Sequence, residues 1–257
     1  KAIIAPHAGY IYSGAIAGEV YRKLLNAHDK IKRVVLLGPS HRVAFKGMAV
    51  PLSTSFRTPL GDIPIDSERI QQIVGDNSVG FLDEAHREEH SLEVHLPFLQ
   101  HILDDFTLVP IVVGNASKES VAAVLEKLWG GDETLIVIST DLSHFEPYDT
   151  ANSIDANTTR KIMTLDATLK GEEACGCRPV NGLLHYIKTH HLAIETVNVK
   201  NSGDTAGNKD RVVGYGAWHV TEASKQNFDK WSLADKQTLL QLAREAIRSP
   251  LEGEKNF

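Results

Sequence analysis

Cysteine is nearly absent: the 257-residue chain has two, Cys175 and Cys177. One residue apart, they are badly spaced for an unstrained disulfide with each other. A disulfide-stapled secreted scaffold is therefore a poor fit, and both read as reduced thiols open to metal or redox chemistry. A basic excess is also missing, since 27 Lys and Arg against 33 Asp and Glu leave a net charge of −6. Neither nucleic-acid phosphate nor an anionic membrane would attract such a chain. The longest apolar stretches, such as Val34–Leu37 and Leu135–Ile138, fall far short of the ~20 residues a spanning helix needs. The opening Lys1-Ala2-Ile3-Ile4 carries neither a methionine nor a leader pattern, so the protein is read as cytoplasmic and without a signal peptide, an upstream piece having room to have been removed. Low-complexity composition is absent too: 42% hydrophobic and 23% charged residues are ordinary for a globular chain. No internal repeat occurs. The glycine-rich pieces, Gly9 to Gly18 and Gly214-Tyr215-Gly216, lack both phosphate-binding orders, so no nucleotide site is assigned.

What is present is an alternation of short apolar runs with helix-period segments, which predicts an α/β protein. Strands are expected at Ala2–Ala5, Val34–Leu37, Met48–Leu52, Leu108–Val113, Leu135–Ser139, Thr196–Val199 and Arg211–Val220. Several are apolar throughout, as in a mixed, mostly parallel central sheet with helices on both faces. Helices are expected at Ser13–Asn26, Ser67–Val74, Ser91–Leu103, Lys118–Trp129, Ile154–Leu169 and Val180–Thr189, with Pro97 kinking the third or delaying its start. The texture changes after 222. Residues 223–257 read as a linker and the start of a truncated second domain, with a helix over 232–248 opened by the capping-box-like Ser232-Leu233-Ala234-Asp235.

Three of the strand runs end in a turn that delivers a histidine: His7, His41 and His144. Ligands of open α/β sheets bind beyond the carboxyl ends of the strands, so these ends could face one crevice. Imidazole is both the commonest metal ligand and the side chain titrating nearest neutrality. Cys175 is a fourth candidate, and a thiolate beside imidazoles favours zinc, copper or iron over magnesium or calcium. The plainer reading of each histidine, a buried group bonded in its turn, stays open. Asp141 and His144, three apart, would share a face if their turn were helical, letting the carboxylate orient the imidazole; Asp141 as a simple cap fits the spacing equally. His90 and His95 fail as a zinc-protease pair, because five residues put them about 140° apart around a helix. His90 could still reach the crevice, although Asp83–Glu89 reads as a solvated acidic loop. Arg178 could bind an anionic substrate group or be an ordinary surface arginine, and Tyr10 and Tyr12 could wall a pocket or simply pack.

Taken together, Ala5-Pro6-His7-Ala8-Gly9-Tyr10, Gly38-Pro39-Ser40-His41, Arg57-Thr58-Pro59-Leu60-Gly61, Glu89 through Pro97, Ser139-Thr140-Asp141-Leu142-Ser143-His144 and Cys175-Gly176 resemble the Memo family, in particular its prokaryotic AmmeMemoRadiSam branch, over about residues 1–222. The resemblance implies a fold shared with the class III extradiol (LigB-like) dioxygenases, whose non-haem iron is held by two histidines and a carboxylate. Mapped by motif, His7 and His41 take the histidine-ligand positions, Cys175 that of the acidic ligand and His144 that of the acid/base histidine, with Asp141 beside it. Tyr10 and Asp141 would line the same pocket, and His90 and Arg178, from their own positions in the chain, join Tyr10 as substrate-binding candidates. Because a thiolate replaces the carboxylate, ring cleavage does not carry over. The implied function is oxidoreductase-like chemistry at a mononuclear iron site, with copper or zinc as other metals, on a small molecule or peptide and in company with a radical S-adenosylmethionine protein. The alternative is a vestigial pocket that binds a peptide or hands on a metal without turnover.

Overall fold

Each run expected as a strand lies in or overlaps a strand of the computed structural model, which describes residues 2–75 and 78–222. In chain order the elements are β1 (Ala2–Ala5), α1 (Tyr10–Arg22), β2 (Arg33–Pro39), β3 (Met48–Val50), β4 (Ser55–Thr58), β5 (Gly61–Pro64), α2 (Ser67–Ile73), β6 (Val79–Phe81), α3 (Glu84–Arg87), α4 (His90–Glu93), α5 (Leu96–Ile102) and β7 (Thr107–Val113). They continue with α6 (Lys118–Leu128), β8 (Thr134–Ser139), β9 (His144–Glu146), α7 (Tyr148–Met163), α8 (Cys177–Thr189), β10 (Leu192–Asn201) and β11 (Val212–Glu222). Among the described residues no helix is long and apolar enough to cross a membrane. The linker and helix expected over 223–257 lie outside the described residues.

The sheet runs β10-β11-β1-β8-β2-β7-β3-β6. Its centre, β1-β8-β2-β7, is parallel throughout, and the antiparallel pairings lie toward the ends. Successive strand residues point to opposite faces, which explains why the central strands carry no polar alternation. Ile4, Val35, Leu37, Ile136 and Ile138 enter the core shared with α2, α6 and α8, while Ile3, Val34, Leu36, Leu135 and Val137 enter the one shared with α1 and α5. Both faces are dry, so every position must be apolar.

Three departures from the sequence reading matter for the site. The helix expected at Ser91–Leu103 is two, α4 and α5, broken at Val94 and His95, with Pro97 in the first turn of α5 where its missing N–H costs nothing. The turn after β8 is not helical; Asp141 lies in a loop and His144 begins β9, which pairs with β11. Finally, α8 starts at Cys177, ahead of the expected Val180, so Cys175 sits immediately before a helix.

Candidate metal centre

Because β8 lies between β1 and β2 and runs parallel to both, the carboxyl ends of the three strands are side by side. Their exits carry His7, Asp141 and His41. A fourth element closes the group: the single turn α4 is tied to the end of β2 by Ser91 Oγ, which donates to Pro39 O at 2.8 Å, and it presents His90 to the other histidines. The ring centroids of His7 and His41 are 5.2 Å apart, those of His7 and His90 5.5 Å, and those of His41 and His90 4.8 Å. One ligand-capable nitrogen from each lies within 4.8 Å of the other two.

Hydrogen bonds fix which nitrogens are available. Ser139 Oγ gives its only proton to Ser91 O at 2.6 Å, so at 2.6 Å from His7 Nδ1 it must accept. His7 therefore carries its proton on Nδ1 and a lone pair on Nε2. Glu89 does the same for His41: its carboxylate accepts from His41 Nδ1 at 2.8 Å, from the His41 backbone N–H and from Ser91 N–H at 2.9 Å. The same carboxylate oxygen is 3.6 Å from His90 Nδ1. Burial alone would raise the Glu89 pKa, but these donors overcome it and hold the group at about 2. Carboxylate or hydroxyl support behind a ligating imidazole is the usual arrangement of a metal-binding histidine.

Burial, and then the neighbouring His41 and His90, push the His7 pKa well below its ordinary value. Neutral His7 keeps a lone pair on Nε2 beside two further imidazoles, which a cation can use. Cys175 stands on the His7 side, its Sγ 3.4 Å from His7 Nε2 and accepting the Asp141 N–H at 3.3 Å. Burial, with the Asp141 charge second, pushes the thiol up to about 12; a bound metal would reverse that preference. Three imidazole nitrogens, with the Cys175 thiol beside His7 but outside their group, suit a borderline transition metal better than an oxygen-seeking ion.

Asp141 is buried, with Oδ1 accepting the His7 N–H at 2.8 Å and Oδ2 3.9 Å from His7 Nε2. Burial raises its pKa in spite of those bonds. His144 is near enough to act electrostatically on both His7 and Asp141, and its turn is pinned by the Ser143 N–H, which donates to Asp155 Oδ1 at 3.0 Å. Tyr10 turns elsewhere: its hydroxyl donates to Val94 O at 3.1 Å, its ring meets Phe98, and it lines an open apolar groove with Leu60 and Pro97. Arg178 is exposed, with one guanidinium nitrogen donating to Ala116 O at 3.3 Å, and lines a small cavity together with Cys175.

Sequence reasoning missed two groups. Glu89, expected in a solvated loop, is 5% exposed and caps α4, its side chain accepting from Ser91 N–H two residues on. Ser139, the last residue of β8, was read only as a strand end. His95 lies apart from the cluster: fully buried, it bonds the Tyr21 hydroxyl through Nδ1 at 2.9 Å, and burial drives its pKa down to about 3.

Comparison with known proteins shows the family of the chain. The family model described as Memo-like protein matches residues 1–219. A MEMO1 family protein of Metallosphaera sedula is 35% identical over 228 residues, covering 82% of this chain and 80% of that protein. Another, from Methanothermobacter thermautotrophicus, is 34% identical over 232 residues, covering 84% and 82%. Among solved structures, the uncharacterized protein JW3007 from Escherichia coli K12 superimposes with a TM-score of 0.52 at 13% identity, over 83% of this chain and 98% of that one, a likeness of fold. The chain belongs to the Memo family.

Proposed function

We propose that the histidine cluster holds a single iron or copper ion and that the protein carries out oxidoreductase-like chemistry related to that of the class III dioxygenases, in the cytoplasm and alongside a radical S-adenosylmethionine partner. The observation that carries this reading is the fixing of His7 by Ser139 and of His41 by Glu89, which keeps their Nε2 lone pairs free for a ligand in a group, with His90, whose ligand-capable atoms lie within 4.8 Å of one another. In it His7 and His41 are ligands, Cys175 is the thiolate ligand, and His90 joins them as a third imidazole. Such an ion, when bound, supplies Lewis acidity and one-electron redox change. The chain's own work is positional and protonic. Asp141 anchors the His7 backbone, His144 moves a proton to or from the substrate and Arg178 receives an anionic group, while Tyr10, turned toward Phe98, stands outside this set.

Metal uptake must displace the Cys175 proton, which the metal-free protein holds up to about 12. His7, already neutral, releases none. The apparent affinity is therefore expected to climb about tenfold per pH unit between roughly pH 6 and 9. In Cys175→Ser the climb flattens and binding of soft metals weakens most. A metal titration at several pH values reads both effects, and an unchanged slope removes Cys175 from the ligand set.

The enzymatic reading is tested by His144→Ala. Metal content should stay at the parent level while metal-dependent oxygen uptake, assayed with catechols and ascorbate, falls by about 10²-fold or more. A second reading, a metal carrier, draws on the side-chain exposure of His90, at 47%, and of His41, at 27%, which leaves the cluster open to exchange. Stoichiometric metal with no oxygen uptake in the parent favours the carrier.

A further inference from the structure

The carboxyl ends of β2 and β7 and the start of α8 enclose a second space next to the histidine cluster. It is a cavity of about 220 Å³, lined among others by Ser40, Val43, Phe45, Asn115, Cys175 and Arg178. Its frame is fixed. The loop after β2 is stapled to the exit of β7 by Asn115 N–H to Phe45 O at 2.7 Å and by Gly114 N–H to Gly47 O at 2.9 Å. Phe45 lies so close over Gly114 that a Cβ there would stand 2.5 Å from its carbonyl oxygen and 2.9 Å from its ring.

The charge in this frame is one-sided. Among the described residues no carboxylate lines the cavity, and Arg178 has no acidic partner; its hydrogen bond is to a backbone carbonyl, Ala116 O. The first turn of α8 has no acidic residue either. A guanidinium with unused N–H groups at a cavity that also holds Ser40 and Asn115 matches the planar carboxylate, which it binds through paired hydrogen bonds. The volume lies below that of drug-sized sites and limits the guest to a small organic acid.

We propose that this cavity binds small organic carboxylates, with Arg178 as the carboxylate receptor and the guest's other end directed to Cys175. The last step is a matter of distance: Cys175 lines the cavity, and its Sγ is 3.4 Å from His7 Nε2. The inference rests on the proposed function only where it treats the guest as the substrate; the binding itself does not require a metal.

Calorimetric titration of the full chain with benzoate and with benzamide, its uncharged analogue of similar shape, tests it, with inorganic phosphate as a third arm and with and without added iron. Benzoate is expected to bind at least about tenfold more tightly than benzamide, the strength of a charge-assisted pair. Arg178→Gln should abolish that preference and Arg178→Lys retain part of it, both at parent metal content and melting temperature. No preference in the parent, a preference that survives Arg178→Gln, or phosphate binding as tightly as benzoate would each overturn the proposal. If the preference behaves as expected while the protein takes up no metal, the redox reading fails and the carboxylate site stands.

Discussion

Replacing Glu89 by glutamine is expected to weaken metal binding by about 10–100-fold and to lower the stability of the metal-free fold by about 2–3 kcal/mol. The carboxylate is buried and accepts from the His41 side chain, the His41 backbone and Ser91 N–H. An amide offers one oxygen for these donors and turns its own NH2 toward at least one of them. His41 then loses the anion that keeps its proton on Nδ1, and its Nε2 is no longer reserved for a ligand. The pH dependence has a definite sign. Glu89 is held at about 2, against 4.5 as the unperturbed value, so its contribution is complete above about pH 4.5 and is lost as pH falls toward 2. Denaturant unfolding curves of parent and variant should stand apart at pH 6 and converge in acid. A constant separation down to pH 2 would mean that the charge of Glu89 is not what stabilises this turn.

The second large effect is expected from one added methyl group. A Cβ at Gly38 would lie 2.6 Å from Ser91 Oγ and 2.8 Å from Leu92 Cδ2, both on α4. Helix α4 is only four residues long, so it yields as a unit, and the three histidines of the cluster depend on it. It carries His90, it follows the Glu89 that orients His41, and its Ser91 carbonyl takes the Ser139 proton that sets the His7 tautomer. Gly38→Ala should cost about 1–3 kcal/mol by overpacking and reduce metal occupancy sharply. Gly80→Ala, where nothing lies within 4 Å, is the control and should leave both near parent values. Equal behaviour of the two variants in thermal melting and metal uptake would show that the contact between β2 and α4 does not govern the site.

The sheet was largely legible because its central strands are covered on both faces, which turns each into an uninterrupted apolar run. The hairpin β4–β5 was not, since of its eight residues only Ile63 is fully buried and hydrophobic burial leaves no pattern to read. Strands β6 and β9, at three residues each, are too short to show a period. At the site, His7 and His41 could be picked out because each follows a strand, and strand exits converge in this class of fold. Ser139 and Glu89 could not, because their importance lies in which imidazole nitrogen they bond, across 132 and 48 residues of chain. His90 was judged by its angle to His95 on an assumed continuous helix; the break at Val94 and His95 separates the two and leaves His90 with the other rings.

The central claim is that His7, His41 and their neighbours form a transition-metal site. Elemental mass spectrometry on protein purified without oxygen, run beside a His7→Ala/His41→Ala double variant, tests it most directly. The account predicts close to one equivalent of iron or copper in the parent and a near-complete loss in the variant, with the variant still folded by circular dichroism. Metal absent from the parent even after reconstitution, or retained equally by the folded double variant, would contradict it.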